Sequence, residues 1–82
     1  MDSATLTYED VVTKQLVEDW ADDKGFDASD QLCLHLAERF DVAEIHVVAA
    51  VNHGDFLMLR LTTERWAEPR EFGLLSDGSL TW

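Results

Sequence analysis

Glu44-Ile45-His46-Val47-Val48-Ala49-Ala50-Val51 is the stretch on which the fold turns. Ile45, Val47, Ala49 and Val51 alternate with Glu44, His46, Val48 and Ala50. Period two in a β-branched run predicts a strand with one face in a core. Asn52-His53-Gly54-Asp55 follows as a turn, where Gly54 supplies a positive φ. From Phe56 to Thr63 the alternation resumes, with Leu57, Leu59 and Leu61 on one side and Phe56, Met58 and Arg60 on the other. Together the two runs read as an antiparallel hairpin.

Further on, Pro69 cannot donate to a ladder and marks the entrance to a third strand, Glu71 to Leu75. Asp77-Gly78 is a type I′ hairpin signal, so Leu80-Thr81-Trp82 returns as a fourth strand. A two-residue loop would pair Leu75 with Leu80 and Gly73 with Trp82, the indole covering the bare glycine.

Upstream, the pattern is helical. Tyr8, Val12, Leu16 and Trp20 recur every four residues, Thr7 with Asp10 spaces as a capping box, and Gly25 is a natural stop. The spacing predicts a helix over 8–23. A second helix, over 30–40, opens at Asp27 or Ser29 and places Leu32, Cys33, Leu36, Ala37 and Phe40 on one arc. The expectation is an α+β domain spanning 1–82: two N-terminal helices, then a four-stranded antiparallel sheet of two hairpins, in the order ααββββ.

Helices on one face of that sheet would cover Ile45, Val47, Val51, Leu57, Leu59, Leu61, Leu75, Leu80 and Trp82. The opposite face would hold Glu44, His46, Arg60, Thr62 and Thr81, but also Val48, Phe56, Met58, Phe72 and Leu74. Either the helices split, one on each face, or the connector folds over this patch, or it is a docking face, for which a symmetric homodimer is the commonest solution.

The 82 residues carry a formal charge of −11, from 17 acids and 6 bases. Residues 1–41 hold 11 of the acids and three of the bases, so the excess lies mainly in the first half. Glu18, Asp19, Asp22, Asp23, Asp27 and Asp30 form its densest group, with Lys24 the only cation among them. Asp22 and Asp23 also oppose the helix dipole, a choice stability alone would not make. The plain reading is a solvated face that keeps the protein soluble. The functional one is a patch that steers the chain to a basic surface.

Direct nucleic-acid binding is disfavoured, because Lys14, Lys24, Arg39, Arg60, Arg65 and Arg70 are scattered. An acidic helix is equally unsuited to anionic lipid. One cysteine, Cys33, forms no intrachain disulfide and reads as a small buried hydrophobe. The N-terminus lacks the basic and apolar regions of a signal peptide, so the cytoplasm is the expected location.

His35, His46 and His53 show no metal-ligand spacing, and Cys33 with His35 points to different sides of a helix. No nucleophile elbow or phosphate loop is present, and no cofactor is implied. Glu44 and His46 share a strand face and would matter only within a cleft.

The expectation is therefore a non-enzymatic protein that binds and inhibits a basic protein, one that itself handles nucleic acid, by imitating nucleic-acid charge. In type (acidic, compact, non-catalytic) it is similar to phage anti-defence proteins such as anti-CRISPR proteins and to nuclease-immunity proteins. No motif assigns it to a family. On that reading it acts in the cytoplasm of a bacterial or phage-infected cell. The alternative is a structural or assembly protein that homodimerises or docks through the outer sheet face.

Overall fold

A computed structural model describes residues 5–26 and 32–81. The order of elements is β1 (Thr5–Tyr8), α1 (Val11–Asp23), α2 (Cys33–Phe40), β2 (Glu44–Asn52), β3 (Phe56–Thr62), β4 (Arg70–Leu75) and β5 (Leu80–Thr81). The five strands form one sheet in sequential order. β1 runs parallel to β2, and all other neighbours are antiparallel.

The expected order ααββββ and its four-stranded antiparallel sheet are thus corrected to βααββββ with a mixed five-stranded sheet. The difference lies in Thr5-Leu6-Thr7-Tyr8. Four residues are too few for period two to stand out, and Thr7 and Tyr8 also fit a helix start. What decides the matter is distant: Leu6 comes to lie beside Ile45 and Tyr8 beside Val47. Parallel neighbours need a long crossover, and the two helices supply it.

The helix begins after that strand. Asp10 is the N-cap, with extended backbone, and its Oδ1 accepts from the Thr13 N–H at 2.6 Å. The capping residue predicted at Thr7 is therefore Asp10, and the helix starts three residues later than the expected Tyr8. Its buried stripe is Thr13, Val17, Trp20 and Ala21, leaving Val12 75% exposed rather than in the core.

At the other end Gly25 stops the helix as expected. With φ +85° it permits a Schellman motif: the Phe26 N–H donates to the Ala21 carbonyl at 2.8 Å and the Gly25 N–H to Asp22 at 3.1 Å. Phe26 then stacks on Trp20, centroids 5.8 Å apart. The N-cap positions proposed for the second helix, Asp27 and Ser29, lie outside the described residues. The helix ends at Asp41, which takes a left-handed conformation.

β2 contains an irregularity that reverses its alternation. Val47 faces Leu61, but Ala49, not Val48, faces Arg60. The extra residue is Val48, a β-bulge. Beyond it Ala50 turns toward the core and Val51 turns outward, 52% exposed. Val51 had been expected inside. A run of four small apolar residues, Val48 to Val51, satisfies either face, so the sequence pattern is silent about the slip.

The last hairpin also differs by one residue. Type I′ requires positive φ at both Asp77 and Gly78, but only Gly78 has it, at +92°. The Gly78 N–H donates to the Leu75 carbonyl at 2.9 Å, and the Leu75 N–H to Ser79 at 2.8 Å. This is a three-residue loop closed by a glycine bulge. Leu74 consequently faces Leu80, and Gly73 faces Thr81, not Trp82. Trp82 lies outside the described residues.

The same register assigns the faces of β4. Phe72 lies opposite Leu59 and Leu74 opposite Leu57, both on the helix side, with 6% and 1% exposure. They had been expected on the outer face. Leu75, expected inside, lies opposite Phe56 on the outer face.

Both helices pack on β1 and β2. The core joins Val17, Trp20 and Leu36 to Ile45, Val47, Leu57, Leu59, Leu61 and Leu74. Each such side chain removed from water contributes roughly 1.5–3 kcal/mol. One end of the inner face of β4 is covered by Trp66, from the connector between β3 and β4, whose ring centroid lies 5.1 Å from that of Phe40 and 5.8 Å from that of Phe72.

Candidate functional site

α1 carries its acids toward its C-terminal end. Asp19, Asp22 and Asp23 are exposed. Positions 19, 22 and 23 are three and four apart, so they share one surface of the helix. The Gln15 side-chain amide donates to Asp19 Oδ1 at 2.8 Å and holds it along the helix axis. Lys24 Nζ lies 3.6 Å from Asp23, and there is no basic residue in the last helical turn.

Glu18 stands apart from this group. It is half-buried and turned toward β1. Burial pushes the Tyr8 hydroxyl from its ordinary 10.0 up to about 12, and the nearby charges of Glu18 and Cys33 add to the effect. Asp27 and Asp30 lie outside the described residues. Of the six acids expected to form the patch, the structure shows Asp19, Asp22 and Asp23 exposed together.

At the other end of α1, Val11 is 80% exposed beside Val12. The helix therefore shows water two valines at its start and three aspartates at its end. The sequence reading missed the valines because Val12 fits the four-residue recurrence that starts at Tyr8, and Tyr8 belongs to a strand.

Three of the six cations are engaged elsewhere. Arg60 bonds Glu71 across β3 and β4 at 2.9 Å. Arg65 lies 3.8 Å from Asp41, and Arg70 sits 5.0 Å over the Trp66 ring. None of these contacts involves the aspartates of α1, whose charge is left to face solvent.

On the outer sheet face, which no helix covers, Val48, Phe56 and Met58 are half-buried. The glycine at position 73 lets the Phe56 ring approach the backbone: a Cβ there would meet its Cδ2 at 3.3 Å and Thr81 Cγ2 at 2.9 Å. Phe56 thus gives Gly73 an aromatic cover and is itself stacked on His53, centroids 4.7 Å apart. With Phe72 and Leu74 inside, the outer patch consists of Val48, Val51, Phe56, Met58 and Leu75. The Arg60–Glu71 pair flanks it.

His46 Nε2 lies 3.2 Å from Glu44 Oε1 on this open face. It borders neither of two cavities, one of about 440 Å³ beside His35 and one of about 370 Å³ between Arg39, Phe40 and Arg70. Among the described residues no group of three His, Cys, Asp or Glu side chains converges on a metal position. No helix among them is long and apolar enough to cross a membrane.

Compared with known proteins, the chain matches no family model, no curated protein and no solved structure.

Proposed function

We propose that the protein binds and blocks a basic surface on another protein, one that handles nucleic acid, with carboxylates standing in for phosphates. The observation that carries this reading is the exposed trio Asp19, Asp22 and Asp23, placed where the helix dipole disfavours them, with Lys24 beside Asp23. Carboxylates meeting Arg and Lys form charge-assisted bonds, and their long-range field speeds encounter. Val11 and Val12 at the far end of the helix add an apolar contact, which gives the interface something salt does not weaken. The reading implies an inhibitor without catalysis, acting in the cytoplasm of a bacterial or phage-infected cell.

Its test is affinity capture from the native or infected host at low and high salt, followed by binding of a triple variant, Asp19→Lys, Asp22→Lys, Asp23→Lys. The expected partner is basic, is released by salt, and is not bound by the variant. Undiminished affinity after that reversal would sink the reading.

A second reading rests on a different observation, the half-exposed Val51 among Phe56, Met58 and Leu75 on the uncovered sheet face. On it the protein homodimerises or docks onto a larger assembly through that face. Replacing Phe56 and Met58 with Ser would then dissolve the assembly. Sedimentation as a monomer at high concentration counts against the homodimer.

A further inference from the structure

The cavity beside His35 opens where the helices stop short of the β4–β5 turn. Ala21 and Phe26 border it from the end of α1, Leu32 and His35 from α2, Leu74 and Asp77 from β4 and its turn. Its volume of about 440 Å³ falls within the roughly 300–1,000 Å³ of small-molecule sites. Four of those six residues are apolar, and Phe26 presents a ring held flat by its stack on Trp20.

Two polar features set the chemistry. The His35 Nε2 atom is buried and has no hydrogen-bond partner, an arrangement native proteins avoid unless something else completes it. Among the described residues of the wall, Asp77 is the one carboxylate. One of its oxygens accepts the Ser79 N–H at 2.9 Å, and that bond holds its carboxyl below the usual range, so it is ionised at neutral pH. The helix end that contributes Ala21 also carries Asp22 and Asp23, and Lys24, next along the chain, is paired with Asp23. The mouth is therefore negative.

We propose that this cavity binds a planar cation, a guanidinium or amidinium on an apolar stem. Such a group stacks on an aromatic face and presents several N–H donors in one plane. It meets the Asp77 carboxylate on one side and the unpartnered His35 ring on the other. Its stem lies against Leu32 and Leu74. The same chemistry is carried by a free small molecule and by an arginine side chain of a protein, and the site does not depend on the reading of α1 as an interface.

The test is a titration of the full chain with agmatine, followed by NMR at constant ionic strength, with butylamine as the non-planar cation of similar stem. Agmatine is expected to shift the His35 imidazole and the Leu74 methyls to saturation, and butylamine to bind more weakly. Asp77→Asn, which keeps the bond to Ser79, should weaken agmatine about fivefold, the scale of a partly exposed ion pair. Because Asp22 and Asp23 stand at the mouth, the triple lysine variant of α1 should weaken agmatine while its shifts stay at His35 and Leu74, and Asp77→Asn should leave the salt-sensitive partner complex intact, which separates this proposal from the preceding one. A parallel titration with acetyl-Gly-Arg-Gly-amide distinguishes the sources: tighter than agmatine for a protein-borne arginine, weaker for a free ligand. Equal response to both amines, agmatine affinity unchanged in Asp77→Asn, or shifts confined to Asp19, Asp22 and Asp23 would each overturn it.

Discussion

Tyr8 reports on the seam between β1 and the helices. It is the only tyrosine of the chain, so phenolate absorbance reads it without ambiguity. Its hydroxyl is raised from 10.0 to about 12, first by burial and then by Glu18 and Cys33. A raised folded value means the protonated form is favoured in the fold. The corresponding stability is fully present below pH 10.0 and is lost as pH rises through about 12. Alkaline titration should therefore place the transition well above that of free tyrosine, and Glu18→Gln should lower it. A transition at the ordinary value in the folded protein would contradict the packing of Tyr8. Gly73 gives the second residue-scale prediction. Gly73→Ala sets a methyl 2.9 Å from Thr81 Cγ2, in a branched side chain with little freedom to move. A loss of about 1–3 kcal/mol is expected from denaturant melts, the usual cost of overpacking.

At the scale of the element, the connector between β3 and β4 does more than join strands. Trp66 closes the inner face between Phe40 and Phe72 and carries Arg70 over its ring. Full truncation of a buried Trp costs about 3–5 kcal/mol. Trp66 is half-buried, so Trp66→Ala should cost about 2 kcal/mol, read from the shift of the unfolding midpoint at unchanged slope. β1 makes a different kind of contribution. It covers an edge of β2 that would otherwise offer a row of unpaired backbone groups. A chain lacking residues 1–8 should self-associate, and light scattering would detect it. A monomeric, equally stable truncated chain would mean that β1 adds nothing to the sheet. Neither role is legible locally. Trp66 sits among Glu, Arg, Ala and Pro, with no period to mark it, and β1 is defined by a partner strand 39 residues away in register, Thr5 with Glu44.

For the molecule as a whole, the charge of −11 is the dominant long-range effect. Repulsion among the carboxylates opposes the compact state, and salt screens it. Raising the salt to about 1 M, where the screening length falls to roughly 3 Å, should raise the melting temperature at neutral pH. A melting temperature that falls or stays level would mean the acids are already balanced within the fold. The same salt should weaken the proposed partner complex, so stability and binding are expected to move in opposite directions.

The amino-acid sequence by itself determined the presence of two helices, the Gly25 stop of the first, the β2–β3 hairpin and the start of β4 after Pro69. These follow from periodicity and turn chemistry, which act within a few residues. It also set the concentration of acid in the first half, because charge is a matter of composition. The tertiary structure alone decided which surface that acid occupies. Glu18 turned inward toward Tyr8, while Asp19, Asp22 and Asp23 faced water, once β1 claimed Tyr8 and α1 packed on Thr13, Val17, Trp20 and Ala21. The two faces of the sheet were settled in the same way. Backbone pairing made Val48 a bulge and gave the last turn a third residue, and each slip of one position exchanged inside for outside. Val51 and Leu75 went to the surface, and Phe72 and Leu74 to the core. Period-two patterning says that residues alternate, and only pairing with a neighbouring strand says on which side the alternation begins.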